Sequence, residues 1–89
     1  MTESETVQCW LVERDYGGKN LVTLVYATPD GDRAQTSERS MTMLRQQPPT
    51  AATEVAVEDL EPVTDETERD RYATEVERVR SQFDPDDEI

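Results

Sequence analysis

Two segments of this chain, residues 6–14 and 20–28, are written largely in β-branched, aromatic and other apolar residues, and they read as paired strands. Between them Asp15-Tyr16-Gly17-Gly18-Lys19 reads as a turn in which paired glycines supply positive φ. With Arg14 opposite Asn20, one face of this hairpin carries Trp10 and Val12 with Val22, Leu24 and Tyr26. The other face carries Val7, Cys9 and Leu11 with Leu21 and Val25. A sheet with one wet face alternates apolar with polar residues, and this hairpin does not. Both faces need cover, and that requirement constrains the fold more than any other feature of the sequence.

The rest of the chain supplies limited cover. Thr28-Pro29-Asp30-Gly31-Asp32 is a second turn, with proline pre-set in φ and glycine for the left-handed position. Residues 33–38 form a polar edge strand. Residues 37–46 are readable as a short helix capped by Ser37 and burying Met41, Leu44 and also Met43, or as a strand on which Met41 and Met43 alternate. The helix is favoured, and Pro48-Pro49 ends either element. Residues 53–57 make a fourth strand with Val55 and Val57 on one face, and Glu61-Pro62 breaks the chain.

A final helix spans residues 65–83. Thr64 or Asp65 caps it, Asp65 with Glu68 offers a capping-box variant, Val63 a staple, and Tyr72, Val76, Val79 and Phe83 one apolar stripe. The predicted fold is α+β: a three- or four-stranded antiparallel sheet in the order β-β-β-(α)-β-α, with the C-terminal helix packed on one face. Residues 1–5 read as a tail, 6–83 as a single domain, and 84–89 as an acidic, disordered tail.

One helix with one stripe covers only one face of the hairpin. The second face meets the 37–46 segment, a folded-back strand, or another molecule. In the last case Trp10, Val12, Val22, Leu24 and Tyr26 form a partner surface or a homodimer through the sheet, since aromatics are enriched at interfaces.

Charge decides the environment. The chain holds 21 acidic and 9 basic residues, a net −12, and Lys19 is the single lysine among eight arginines. Five basic against seven acidic residues precede Gln46; four against fourteen follow. At about 1 M salt the screening length is roughly 3 Å, so surface carboxylates stop repelling and keep the protein hydrated. This composition resembles that of haloarchaeal proteins, and the chain looks like one of their small uncharacterised families. The resemblance implies a salt-rich cytoplasm and brings no activity with it.

The chemistry available is narrow. There is no histidine, so Ser–His and Cys–His nucleophilic pairs are excluded. The lone Cys9 sits among apolar neighbours, fits a reducing cytoplasm and cannot build a zinc site. Asp30-Gly31-Asp32 resembles a calcium loop but lacks its alternating acids and distal Glu, so a turn is the better reading. No cofactor or specific metal is expected. Met1 to Thr6 is acidic and polar rather than a signal sequence, and no apolar run approaches the ~20 residues that span a bilayer. The reading that follows is a non-catalytic interaction module. The alternatives are a nucleic-acid-associated protein using Tyr16, Lys19, Arg33, Arg39 and Arg45, and a carboxylate-dependent enzyme.

Overall fold

The computed structural model describes residues 5–89, and its architecture grows from the hairpin. Strand β1 (Thr6–Tyr16) pairs antiparallel with β2 (Leu21–Ala27), which pairs with β3 (Arg33–Ser40). A one-and-a-half-turn helix, α1 (Met41–Gln46), follows β3 directly. Strand β4 (Ala52–Ala56) then pairs with β1, and β5 (Glu61–Pro62) with the start of β3. The sheet order is β4-β1-β2-β3-β5, with α2 (Glu66–Gln82) across one face. The α+β fold with its C-terminal helix on an antiparallel sheet is as predicted. The fifth strand arises because Glu61-Pro62 runs along β3 instead of merely ending β4.

The hairpin register departs from the expected one in a consequential way. Tyr16 pairs with Val22 and Arg14 with Leu24, but Leu11 pairs with Tyr26 and Trp10 with Ala27. The register therefore shifts between Leu11 and Glu13, a β-bulge that inserts one residue and inverts the facing of everything N-terminal to it. Trp10 and Val12 consequently pack with Val25, Ala27 and Ala34 under α2. Cys9 and Leu11 join Val22, Leu24 and Tyr26 on the opposite face. The proposed grouping of Trp10 and Val12 with Val22, Leu24 and Tyr26 is thus split between the two faces by the bulge.

Both turns show what their residues are for. The ladder runs on to Tyr16, so the reversal falls on Lys19 (φ 61°) and Asn20 (φ 65°), not on Gly17-Gly18. In the second turn the buried Thr28 hydroxyl donates to the Asp30 carboxylate (2.6 Å) and accepts from the Arg33 N–H (3.2 Å). The Asp32 N–H also donates to Asp30 (2.9 Å), and these bonds, Thr28's first, hold the Asp30 carboxyl below its usual range. Gly31 takes φ 75°, as its position in the turn requires. It also lies against the backbone of α2, where an added Cβ would sit 2.3 Å from the Arg69 carbonyl oxygen.

The long helix is capped by Asp65, whose carboxylate accepts from the Thr67 N–H (3.1 Å). The reciprocal half of a capping box does not form. Glu68 instead accepts the Tyr72 hydroxyl (2.6 Å), one turn along the same helix. Tyr72, Val76 and Val79 are buried on the sheet and Phe83 is partly so, matching the predicted stripe. The flank of the contact is charged: Arg71 pairs with Glu13 of β1 (2.8 Å), and the Arg80 guanidinium lies 6.0 Å from the Trp10 ring centroid.

The second face is roofed from within the chain. Because β3 and β4 lie on opposite sides of the β1–β2 pair, α1 and residues 47–51 must cross the sheet. They do so on the face away from α2, where Met41 and Leu44 pack on the Leu24–Tyr26 cluster. The Tyr26 hydroxyl ties the crossing down by donating to the Thr50 carbonyl (2.8 Å). The β4-to-β5 connection crosses back through a 3-10 turn at Val57–Asp59 and buries Leu60 on the same face. The cap of α1 is Ser40, which accepts from the Met43 N–H, while Ser37 stays in β3 opposite Leu24.

Residues 84–89 read in the sequence as a disordered, solvated tail; here they fold back along the entry to β4. The Ala51 and Ala52 N–H groups donate to the carbonyls of Asp87 (2.8 Å) and Pro85 (3.1 Å), and the Ile89 N–H donates to Pro49 (2.9 Å). Ile89 reaches both apolar clusters, which is the physical reason the segment does not stay in water. Of the expected N-terminal tail, residues 1–4 lie outside the described residues. Glu5 accepts from the Val57 N–H (2.9 Å).

Candidate binding face

Alternation along paired strands sorts every charged side chain of the sheet. Glu13 lies opposite Val25, Asp15 opposite Thr23, which also faces Glu38, Glu54 opposite Gln8, and Glu61 opposite Ala34. All five acids share the face that α2 covers, whose core includes Val25 and Ala34. Arg14 lies opposite Leu24 and Arg39 opposite Val22, and Arg33 follows Arg39 along β3 in steps of two. All three arginines share the face of Val22, Leu24 and Tyr26. Net −12 for the whole chain therefore conceals a sheet with one acidic and one basic side.

On the basic side a cavity of about 190 Å³ lies between β2–β3 and the crossing connection. Its floor is Leu24 and Tyr26, one wall is Gln35, Ser37 and Arg39, and the other is Leu44 with residues 47–50. Thr53 completes it. No acid lines it, although nearly a quarter of the chain is acidic, and Arg39 is its charged member. No acidic residue occurs between Arg39 and Glu54. Burial raises the Tyr26 hydroxyl above its ordinary pKa, while its bond to Thr50 and the nearby Arg39 and Arg14 pull in the opposite direction. The site thus offers a fixed positive charge, hydroxyls and amides beside an apolar floor.

The residues proposed as a partner surface are all buried: Trp10 and Val12 beneath α2, Val22, Leu24 and Tyr26 beneath the crossing segments. The last two survive as the floor of the cavity. The nucleic-acid set is only partly brought together. Tyr16 and Arg39 share the basic face near the hairpin end, where Arg14 donates to the Tyr16 hydroxyl (3.4 Å). Lys19 sits in the exposed turn and Arg45 on exposed α1. Arg33 lies six residues from Arg39 along β3, roughly 20 Å away at ~3.3 Å per residue, close to Asp30. Arg14, absent from that set, lies opposite Leu24 on the face where the expected register also put it.

Elsewhere the chemistry is quiet. Cys9 is buried with its thiol pushed up to about 11 by burial, which keeps it protonated and unreactive. Among the described residues no carboxylate is buried, and no group of three or more His, Cys, Asp or Glu side chains is placed to hold a metal ion. Among the described residues no helix is long and apolar enough to cross a membrane. No curated protein and no solved structure matches the chain. A family model described as a family of unknown function, DUF7967, matches residues 3–89, and the chain belongs to that family.

Proposed function

We propose that this protein is a non-catalytic interaction module that engages acidic side chains of a polypeptide through the arginine-bearing face of its sheet. The observation that carries this reading is the charge sorting itself: Arg14, Arg33 and Arg39 on one side, Glu13, Asp15, Glu38, Glu54 and Glu61 on the other. Screening in salt removes long-range attraction but leaves short contacts to Arg39 beside an apolar floor, which suits a polypeptide better than a phosphate backbone. The non-catalytic reading is supported by the carboxylates of the described residues, none of which is buried, since general acid–base work favours shielded ones. The free, buried Cys9 and the carboxylate-rich surface suit a reducing, salt-rich cytoplasm.

Titration with a glutamate-rich peptide and, separately, with a single-stranded oligonucleotide tests this, using backbone amide shifts as the readout. Shifts at Ser37, Arg39, Leu44 and Thr50 with the peptide, lost in an Arg14→Glu/Arg39→Glu double variant, are the expected result. Tighter binding of the oligonucleotide would restore the nucleic-acid reading. Silence with both would refute the site.

A further inference from the structure

The edge of β3 is where the basic face ends, and its backbone is open. Two bonds fix which way its groups point: the Thr28 N–H donates to the Arg33 carbonyl, and the Met41 N–H donates to Asn20. These bracket the β2–β3 pair, so odd-numbered residues of β3 bond to β2 and even-numbered ones point outward. Ala34 meets Glu61 in β5, and β5 ends there. Thr36 and Glu38 therefore present N–H and C=O groups to an edge with no strand beyond it among the described residues. Both residues are exposed, so these groups are reachable.

A groove flanks this edge on each face. The helix-free side holds the acid-free cavity bordered by Gln35, Ser37 and Arg39. The helix side holds a second cavity of about 210 Å³, bordered by Thr36, Val63 and Tyr72 with Glu61, Asp65 and Glu68. One groove is positive and the next is negative, and they alternate at the period of a strand.

We propose that an extended polypeptide with acidic and basic side chains at alternating positions adds to β3 as a sixth strand, filling the edge that β5 leaves open. The inference rests on the binding-module reading above and adds to it the mode of recognition. Backbone pairing to Thr36 and Glu38 supplies the attachment, and the two oppositely charged grooves supply the choice of sequence. In an antiparallel ladder, residues directly opposite share a face. Acidic side chains of the incoming strand stand opposite the odd residues and face Arg39; basic ones stand opposite Thr36 and Glu38 and face Glu61, Asp65 and Glu68. The basic residues are then the ones whose N–H groups donate to β3.

An alternating glutamate–lysine peptide is the probe, and it carries no net charge to attract or repel the protein nonspecifically. Amide shifts and hydrogen exchange on the intact chain should show binding, with slowed exchange at Thr36 and Glu38. An isomer of the same composition with glutamates and lysines in pairs should bind about tenfold more weakly, because its period is wrong. N-methylation at the lysines should abolish binding, while N-methylation at the glutamates, whose N–H groups point away, should be tolerated. Equal binding by both N-methylated peptides, or no protection at Thr36 and Glu38, would overturn strand addition. If the glutamate-rich peptide still shifts Arg39 in that case, the charged-face reading stands without the edge.

Discussion

Replacing Gly31 by alanine tests how α2 is seated on the sheet. A Cβ at this position meets the Arg69 carbonyl oxygen at 2.3 Å and the Ala73 nitrogen at 3.0 Å, both backbone atoms of a packed helix that cannot swing aside. The left-handed φ of 75° costs an alanine about 1–2 kcal/mol. Displacing the helix costs about 1–3 kcal/mol as in other overpacked sites, and the stiffer unfolded chain returns about 0.5 kcal/mol. The net loss is about 3 kcal/mol, which for a domain of this size lowers Tm by roughly 15 °C. Circular dichroism melts and urea titrations of Gly31→Ala read it directly. Gly17→Ala and Gly18→Ala are internal controls, since neither residue has positive φ and neither Cβ meets a close neighbour; both should stay within about 0.5 kcal/mol of the parent. Gly31→Asn separates the two terms, because asparagine tolerates the left-handed region but still carries the Cβ. A near-native Gly31→Asn, or a Gly31→Ala no worse than the controls, would refute the claim that this glycine exists to let the helix approach.

Three further outcomes follow from the structure. Burial first, then the Glu68 bond, pushes Tyr72 up to about 12, and burial pushes Cys9 to about 11, from 10.0 and 9.0. The unfolded chain thus loses these protons first, so stability holds below pH 9 and falls as pH rises towards 12; a urea midpoint constant across that window would contradict this. Tyr72→Phe should flatten the upper part of the fall. Dilution to tens of millimolar salt, about 10–30 Å of screening length, should cost structure by circular dichroism, and an unchanged thermal midpoint would refute the salt argument. Ile89→Asp should cost about 1–2 kcal/mol by removing a half-buried apolar group and should speed hydrogen exchange at Ala51 and Ala52; unchanged exchange there would show the segment is not held by its isoleucine.

Local chemistry was legible where a residue type has one use. Gly31 marked its turn, Pro48-Pro49 ended α1, and the Tyr72–Val76–Val79 spacing laid α2 on the sheet. The demand that both hairpin faces be covered was also readable, because it depends only on alternation. The particular faces were not. Val12 is an ordinary strand residue, and nothing in its neighbours marks a bulge, yet that one extra residue separates Trp10 from Tyr26. Residues 84–89 look solvated because five of the six are acidic or proline; the sixth, Ile89, decides their position. The candidate site was hidden for a related reason. Leu24, Tyr26 and Arg39 were each noticed, but they share a cavity only because the crossing connection runs above them.

That crossing has a consequence in time. β1, β2 and β3 are joined by short turns while β4 reaches β1 only through the long crossing, so loop-closure entropy favours the three-stranded meander forming first. In that order α1 is then drawn across by Met41, Leu44 and Tyr26, delivering β4 to the far side of β1 with residues 84–89 closing behind it. Until β4 arrives, the outer side of β1 is bare backbone beside Cys9 and Leu11, the most apolar part of the chain. A copy that lost β4 would present that apolar edge to a second copy, and the excess carboxylates would hold the two apart only where salt is too dilute to screen them.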